Sequence, residues 1–562
     1  MNEKIRRLKA LLKSHDLYGF IIPSTDEFLS EYPCEATKRL EFITEFSCSN
    51  GYLIITLDKN LFFTDGRYLT AAHAHFKDVE VYPLNQIKHI IGQIMSGGKF
   101  GYNPKLFAPY EAGLFSGLDL TPTDDFVDMI WENKPLLPSD DVFEYKLEYA
   151  GESAESKIIR VRDEIEKLGA NGMIVTSPES VCWLLNIRGD DSEFSPIVHS
   201  CLYLGLDEIV LFSTKRKFPE FLENHVDLRG FEEFDEFLEK NSKKLLVPGD
   251  SSIYLQSKIP PGLMIKGEDP SLLFRAVKNT VEIEGAKKAH IRDAVALIEF
   301  LCWLEKNYHG KTEYELSARL TSFRKEMPDY IKDSFAPIVG FGPNGSKIHY
   351  KPEKKNSLRI KRKGVLLIDS GGHYFGGTTD VTRTILLGKE VGQDIKTYYT
   401  NVLKGHIDLS KIRFPAGIKG CHLDVLARMN LWQSGIDYNH GTGHGVGNCL
   451  SVHEGPSGIS LYSTKYALVE GMILSNEPGY YKENEFGIRI ENLQYVRKSE
   501  YQGFLEFEPL TLVPYCKSLV EVSMLNSDQL EYIRNYYAMI QNELQNLLSP
   551  EASEFLAAQI DL

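Results

Sequence analysis

The run DSGGHYFGGTTDVTRT (369–384) constrains the fold of this chain more than any other stretch, because it holds two carboxylates eleven positions apart around a glycine-rich turn. Asp369 closes the apolar run Gly364–Ile368, and Asp380 stands in Thr378–Ile385, which reads as a strand. A turn centred between Tyr374 and Phe375 makes the two aspartates cross-strand partners, with Cβ atoms roughly 4.5–5.5 Å apart. At about 5 Å and an effective dielectric near 20, two such charges repel by about 3 kcal/mol. A sheet tolerates that arrangement when a proton or a cation sits between them.

The same geometry is expected in MILSNEPGYYKENEFGIRIENLQYV (472–496), where Glu477 and Glu491 are symmetric about Asn484. Between the two hairpins lies HGTGHGVGNCLSVHEGP (440–456). His440, Thr442, His444 and Val446 alternate there with glycines, so an extended chain presents both imidazoles on one face and lets backbone or ligand approach the other. Two Asp, two Glu and one His suit two divalent cations sharing bridging carboxylates. Such a pair can deprotonate a water between them near neutral pH. Oxygen-rich ligands with one imidazole suit manganese, with cobalt, iron, magnesium or zinc as alternatives. Taken singly, an Asp-x₁₀-Asp pair also fits a solvated turn, and HGTGH a structural loop; three such features in order favour the metal reading.

Composition bounds the rest. A chain of 562 residues implies two to four domains. Hydrophobic content of 43% and charged content of 25% are those of a soluble globular protein. A net charge of −15 without a basic block argues against nucleic-acid binding. The eight cysteines are scattered with no CxxC pair, so neither a zinc knuckle nor a disulfide framework is expected. The N-terminus MNEKIRRLKALLKSH is basic and amphipathic but lacks a signal-peptide core, and no apolar run approaches the ~18 residues of a membrane span. A reduced, cytoplasmic protein that binds no membrane is expected.

The first 275 or so residues contain a weak repeat at an offset of 153: Ile5, Leu8, Leu12, Gly19, Ile21, Ile22 and Ser24 fall on Ile158, Val161, Ile165, Gly172, Ile174, Val175 and Ser177. Each copy reads as an amphipathic helix, a loop with Gly and a short apolar strand, followed by further strands. Two α/β domains of similar fold are therefore expected. A long helix follows at Glu282–Asn307, then glycine-rich β segments over 335–515, then a terminal amphipathic helix within 526–548 whose Leu530, Ile533, Tyr537 and Ile540 cover a neighbouring surface.

These motifs resemble the pita-bread metallopeptidases, and among them the long, three-domain Xaa-Pro aminopeptidases (aminopeptidase P). DSGGHYFGGTTDVTRT, HGTGHGVGNCLSVHEGP and NEPGYYKENEFGIRIEN look like the three signature blocks of that family. AVKNTVEIEGAKKAHIRDAVALIEFLCWLEK resembles the helix that opens its catalytic domain; STDEFLSEY, FFTDGRY and WLLNIRG resemble segments of its two creatinase-like domains; FEPLTLVPYCKSLV resembles the C-terminal extension of the long form. The resemblance implies creatinase-like α/β domains at 1–148 and 149–277, and a pita-bread catalytic domain with a curved, mainly antiparallel sheet at 278–562, its extension starting at about 505.

Carried over residue by residue, the resemblance implies that Asp369 binds one metal through both oxygens. Asp380 and Glu491 bridge the two ions, and His444 and Glu477 complete the second. His349, in KIHY, matches a histidine lining the substrate pocket, although on the sequence alone it reads as an ordinary strand residue. His453 matches the histidine that contacts the scissile carbonyl, His440 the first histidine of its block, and Arg489 an arginine near the site. The implied reaction is attack of a hydroxide bridging two divalent ions, manganese above all, on the N-terminal Xaa-Pro bond of proline-containing peptides. His453 stabilises the oxyanion and Glu477 carries the proton to the leaving nitrogen. A homodimer is implied, with the N-terminal domains narrowing access. The turn Gly372–Gly376 departs from the usual polar turn; it carries no ligand, and His373 near its tip is expected to be solvated. Prolidase, a dipeptidase with the same five ligands, is the near alternative. A binding protein without activity and a metal-free creatinase-like hydrolase are more distant ones.

Overall fold

The computed structural model describes residues 3–94 and 98–561, which divide into two compact units. The first comprises the chain up to Leu147 together with Glu152–Leu272; the second comprises Glu148–Gly151 and Leu273–Leu562.

The first unit contains two six-stranded sheets of the same connectivity. In the first sheet Gly19–Pro23 pairs antiparallel with Gly51–Thr56 and parallel with Lys99–Tyr102. Asn60–Thr64, Glu80–Pro83 and Asp119–Pro122 extend its two edges. In the second, Gly172–Val175 takes the central place, antiparallel to Ser200–Gly205 and parallel to Leu245–Pro248. Ile209–Ser213, Asp227–Gly230 and Met264–Gly267 occupy the matching outer positions. The repeat seen in the sequence is thus a repeat of topology. Its helices behave accordingly: Ile5, Leu8 and Leu12 are buried along Glu3–Ser14, and Ile158, Val161 and Ile165 along Ala154–Lys167, as an apolar stripe at helical spacing requires.

In the second unit every strand ladder is antiparallel. The helix Thr280–Asn307 opens it, started by Asn279, whose side chain accepts from Val281 and Glu282 while Glu282 bonds back. Its apolar face, including Leu297, Ile298, Phe300 and Leu301, joins the main core with Leu366 and Ile368 of the first acid-bearing strand and Ile488 and Ile490 of the second hairpin. The helix Ser527–Leu544 closes the same core through Ile533, Tyr537 and Ile540, with Leu530 half-buried; its cap is Asn526, one residue before the Ser-Asp start. It is not terminal, since a further helix, Pro550–Ile560, follows and adds Ala552 and Leu556 to that core. Both acid-bearing ribbons are therefore anchored in one apolar body, which holds their polar ends against each other.

Candidate metal centre

The first hairpin runs in a register two residues away from the expected one. Gly364–Ser370 pairs with Val381–Leu387, and Asp369 faces Thr382. The ribbon continues as Gly372–Tyr374 against Gly377–Thr378, so the turn falls at Phe375-Gly376. Gly376 takes φ +95° there, in the left-handed region that glycine occupies without strain. A Cβ on the next residue, Gly377, would lie 3.0 Å from Ala286 Cα, so the turn is seated against the long helix by having no side chains. Asp380 consequently lies on the same face as Thr382 and diagonal to Asp369, a separation still within side-chain reach.

The second hairpin follows the expected register. Ile473–Asn476 pairs with Asn492–Lys498, and Gly479–Lys482 with Phe486–Arg489, both about the same centre at Asn484. Glu477 and Glu491 occupy facing positions between those two ladders, and Asn484 takes φ +59° at the turn.

The glycine-rich run packs beside it. A Cβ on Gly443 would stand 2.0 Å from the Ser475 carbonyl oxygen, and one on Gly445 2.2 Å from that of Glu454. Glu477 N–H donates to Thr442 O at 2.7 Å, and His444 N–H to Ser475 Oγ at 2.9 Å. The backbone approach allowed by glycine is what carries His444 to the carboxylates.

Side-chain oxygens of Asp369, Asp380 and Glu491 lie within 4.8 Å of one another, and His444, Glu477 and Glu491 form a second such group. His444 Nε2 is 3.5 Å from Asp380 Oδ2 and 3.6 Å from Glu477 Oε1. Asp369, Asp380 and Glu491 are buried, and Asp369 Oδ1 and Asp380 Oδ1 have no hydrogen-bond partner among the described residues. Burial and the charges of Asp369 and Glu477 push the Asp380 carboxyl well above the usual range. Burial with Asp380 and Asp369 does the same to Glu491, and burial with Glu491 pushes Glu477 up to about 8. Buried carboxylates with orphaned oxygens, raised by one another, are the donor set that divalent cations satisfy. The residues present fit two such ions.

Arg489 supplies a fixed positive charge at one edge. Its Nη2 donates to Asp369 Oδ2 at 2.5 Å, and its Nε to Thr382 Oγ1 at 3.1 Å. Thr382 Oγ1 in turn donates to Glu491 Oε2 at 2.7 Å. Arg489 Nη1 donates to the Tyr481 hydroxyl at 2.7 Å, and that hydroxyl is 2.9 Å from His440 Nε2. Tyr481 and Thr382 belong to this network and were not singled out from the sequence. Thr382 had a signal, since it shares a strand face with Asp380. Tyr481 had none, because it joins Arg489 to a histidine 41 residues away.

The remaining histidines are placed as follows. The His453 ring lies 4.3 Å from the His444 ring, edge on, and groups with His444 and Asp380. His349 is half-buried in the segment whose Ile348 carbonyl accepts from Arg489 Nη2 at 3.5 Å. His373 is fully buried, contrary to expectation. The strand Tyr330–Asp333 covers it on one side, and its Nδ1 is 3.0 Å from Thr378 Oγ1.

Comparison with known proteins gives this geometry a family. Residues 284–498 match metallopeptidase family M24, 4–129 and 133–282 each match a creatinase/prolidase N-terminal domain, and 503–561 match the C-terminal region of peptidase M24. A Dictyostelium discoideum protein named Xaa-Pro aminopeptidase 1 is 35% identical over 98% of this chain and 94% of its own. The crystal structure of X-prolyl aminopeptidase from Caenorhabditis elegans, described as a cytosolic enzyme with a di-nuclear active site, superposes with a TM-score of 0.94 at 31% identity, covering 100% of this chain and 99% of that one. A recombinant prolidase from Thermococcus sibiricus has a TM-score of 0.52 at 26% identity, covering 65% of this chain and 98% of its own. With full-length identity of this order and all four family segments in sequence, the chain belongs to metallopeptidase family M24, beside relatives named Xaa-Pro aminopeptidases.

Proposed function

We propose that this protein is a metal-dependent aminopeptidase that cleaves the N-terminal Xaa-Pro bond of peptides. The observation that carries the reading is the convergence of Asp369, Asp380 and Glu491 with His444 and Glu477, with Asp369 Oδ1 and Asp380 Oδ1 buried and without a hydrogen-bond partner among the described residues. These five residues would hold two divalent cations, which when bound supply a water acidified to near neutral pH and positive charge against a carbonyl oxygen. The oxygen-rich set with one imidazole favours manganese.

The chain's own residues then divide the work. Glu477, 19% exposed at its side chain, takes a proton and returns it to the leaving proline nitrogen. His453, beside His444, donates to the carbonyl oxygen as it becomes negative. Arg489 fixes the orientation of Asp369 through a charge-assisted hydrogen bond. Tyr481 ties Arg489 to His440 and holds that imidazole at the rim of the carboxylate cluster.

The length of the chain favours an aminopeptidase over a dipeptidase. The prolidase structure accounts for 65% of it, whereas the match at 503–561 and two creatinase-type domains follow the Xaa-Pro aminopeptidase pattern. The three-domain division at 1–148, 149–277 and 278–562 is part of the same proposal, as is a cytoplasmic location like that described for the nematode enzyme. Among the described residues no helix is long and apolar enough to cross a membrane. The homodimer reading draws support from Val425, Met429 and Trp432, exposed on Gly420–Trp432 at spacings that form one apolar stripe. Kinetics with an Arg-Pro-Pro peptide and with an Xaa-Pro dipeptide, on metal-stripped protein reconstituted with manganese, tests the function. Release of the first residue from the longer peptide at the higher kcat/KM supports it; preference for the dipeptide makes the protein a prolidase.

A further inference from the structure

Between the strands Ile338–Phe341 and Gly364–Ser370 the chain makes a long excursion whose one regular element is the short turn Gly342–Ser346. His349 lies in this excursion. A segment with so little secondary structure needs another source of order if a histidine on it is to act at a fixed point.

One carboxylate provides it. Glu313, the first residue of the helix Glu313–Lys325, is fully buried. Its Oε1 accepts from Phe341 N–H at 2.8 Å, and its Oε2 from the Tyr350 hydroxyl and from Leu358 N–H, each at 2.8 Å. Asn344 Nδ2 donates to both oxygens, at 3.2 and 3.0 Å. Glu313 N–H closes the loop on itself by donating to Leu358 O at 3.1 Å. The ion pairs among the described residues include no cation for this carboxylate; backbone and side-chain donors and the first turn of its helix take the charge. The donors come from the start, the middle and the far part of the excursion, on both sides of His349. From the opposite side the same segment is pressed on the second hairpin: a Cβ on Gly487 would meet Gly345 O at 1.8 Å, and Ile348 O faces Arg489.

We propose that Glu313 is a positioning residue for His349, acting by clamping residues 341–358 through these four donors. The proposal rests on the reading of His349 as a substrate-pocket residue. Glu313→Gln keeps the shape but turns one acceptor oxygen into a donor facing donors, so it releases the clamp without emptying the space. Misplacement of a catalytic-site group by about 1 Å costs on the order of 10²-fold.

The test is a double-mutant cycle on the manganese-loaded protein with Glu313→Gln, His349→Ala and the pair, read by kcat and KM separately and by bound metal. Tyr350→Phe is the milder variant should Glu313→Gln fold poorly. Hydrogen exchange over 341–358 is followed in each. The expected result is a fall in kcat/KM of about 30-fold for Glu313→Gln and a few-fold for Tyr350→Phe. Metal content stays unchanged, exchange over 341–358 is faster, and little further loss occurs in the His349→Ala background. Equal losses in both backgrounds, or loss of metal with Glu313→Gln, would overturn the clamp while leaving His349 in its role. Undiminished activity in His349→Ala would overturn the role of His349 and the clamp with it.

Discussion

The two acid-bearing hairpins solve one problem in different ways. The ribbon around Asn484 keeps a single register from Ile473 through Lys482 and back from Phe486, so Glu477 and Glu491 meet face to face across it. The ribbon around Gly376 likewise keeps one register across two ladders, pairing Asp369 with Thr382 and His373 with Thr378, but its centre lies one residue past the midpoint of the two aspartates. Its aspartates meet on the diagonal, and Thr382, in the facing position, bonds Glu491 instead. The difference teaches that carboxylate convergence need not come from direct cross-strand opposition. One ribbon sets its acids in facing positions, and the other, its turn seated on the helix Thr280–Asn307, sets them two residues out of opposition.

The largest expected effect comes from removing one acid from either ribbon. Asp380→Ala and Glu491→Ala should each lower kcat/KM by about 10³-fold or more, with far-ultraviolet circular dichroism unchanged. A variant of one ribbon that keeps full activity would show that the two do not form one centre. Glu477→Gln should lower kcat by about 10²- to 10⁴-fold while bound metal, counted by mass spectrometry, falls much less. That result would separate the proton carrier from its facing partner Glu491.

The turns distinguish the ribbons next. Gly376→Ala forces a side chain to φ +95° with its Cβ 3.2 Å from Gly285 Cα, whereas Asn484→Ala meets only the left-handed backbone at φ +59°. Denaturant unfolding should find a loss of about 2 kcal/mol or more for the first and about 1 kcal/mol for the second. Equal losses would mean that the seat on the helix does not matter.

The smallest effect is on pH dependence without metal. The folded pKa of Glu477 is raised to about 8, above its unfolded value, so folding takes up protons in between. The stabilisation is full below the ordinary carboxylate range and is lost as pH rises toward 8, so metal-stripped protein should melt lower at pH 8 than at pH 5, by roughly 5 °C. Glu477 is 19% exposed, so solvent screens part of this. Manganese should remove the slope by binding the ionised forms, and Glu477→Gln should reduce it, leaving the part that Asp380 and Glu491 contribute; differential scanning calorimetry reads both.

Much of the fold was legible in the sequence because it rests on periodicity. The buried stripes Ile5-Leu8-Leu12 and Ile158-Val161-Ile165 announced two similar domains, and the acids symmetric about Asn484 announced the second hairpin. The register of the first was misread because a centre between Tyr374 and Phe375 satisfies symmetry for the aspartates, while the helix behind the turn admits only Gly376 and Gly377 at that place. His373 was misread for a related reason: a residue near a turn tip is solvated unless another strand covers it, and Tyr330–Asp333, forty residues earlier, does. Tyr481 and Glu313 were silent because their meaning lies in partners distant along the chain.

The central claim, that carboxylates of both ribbons share a pair of cations, is tested most directly by metal stoichiometry. Stripped protein titrated with manganese should bind two ions per chain, and Asp380→Ala and Glu491→Ala should each lose more than one. Wild-type protein that binds no manganese, or variants that bind as the wild type does, would contradict it.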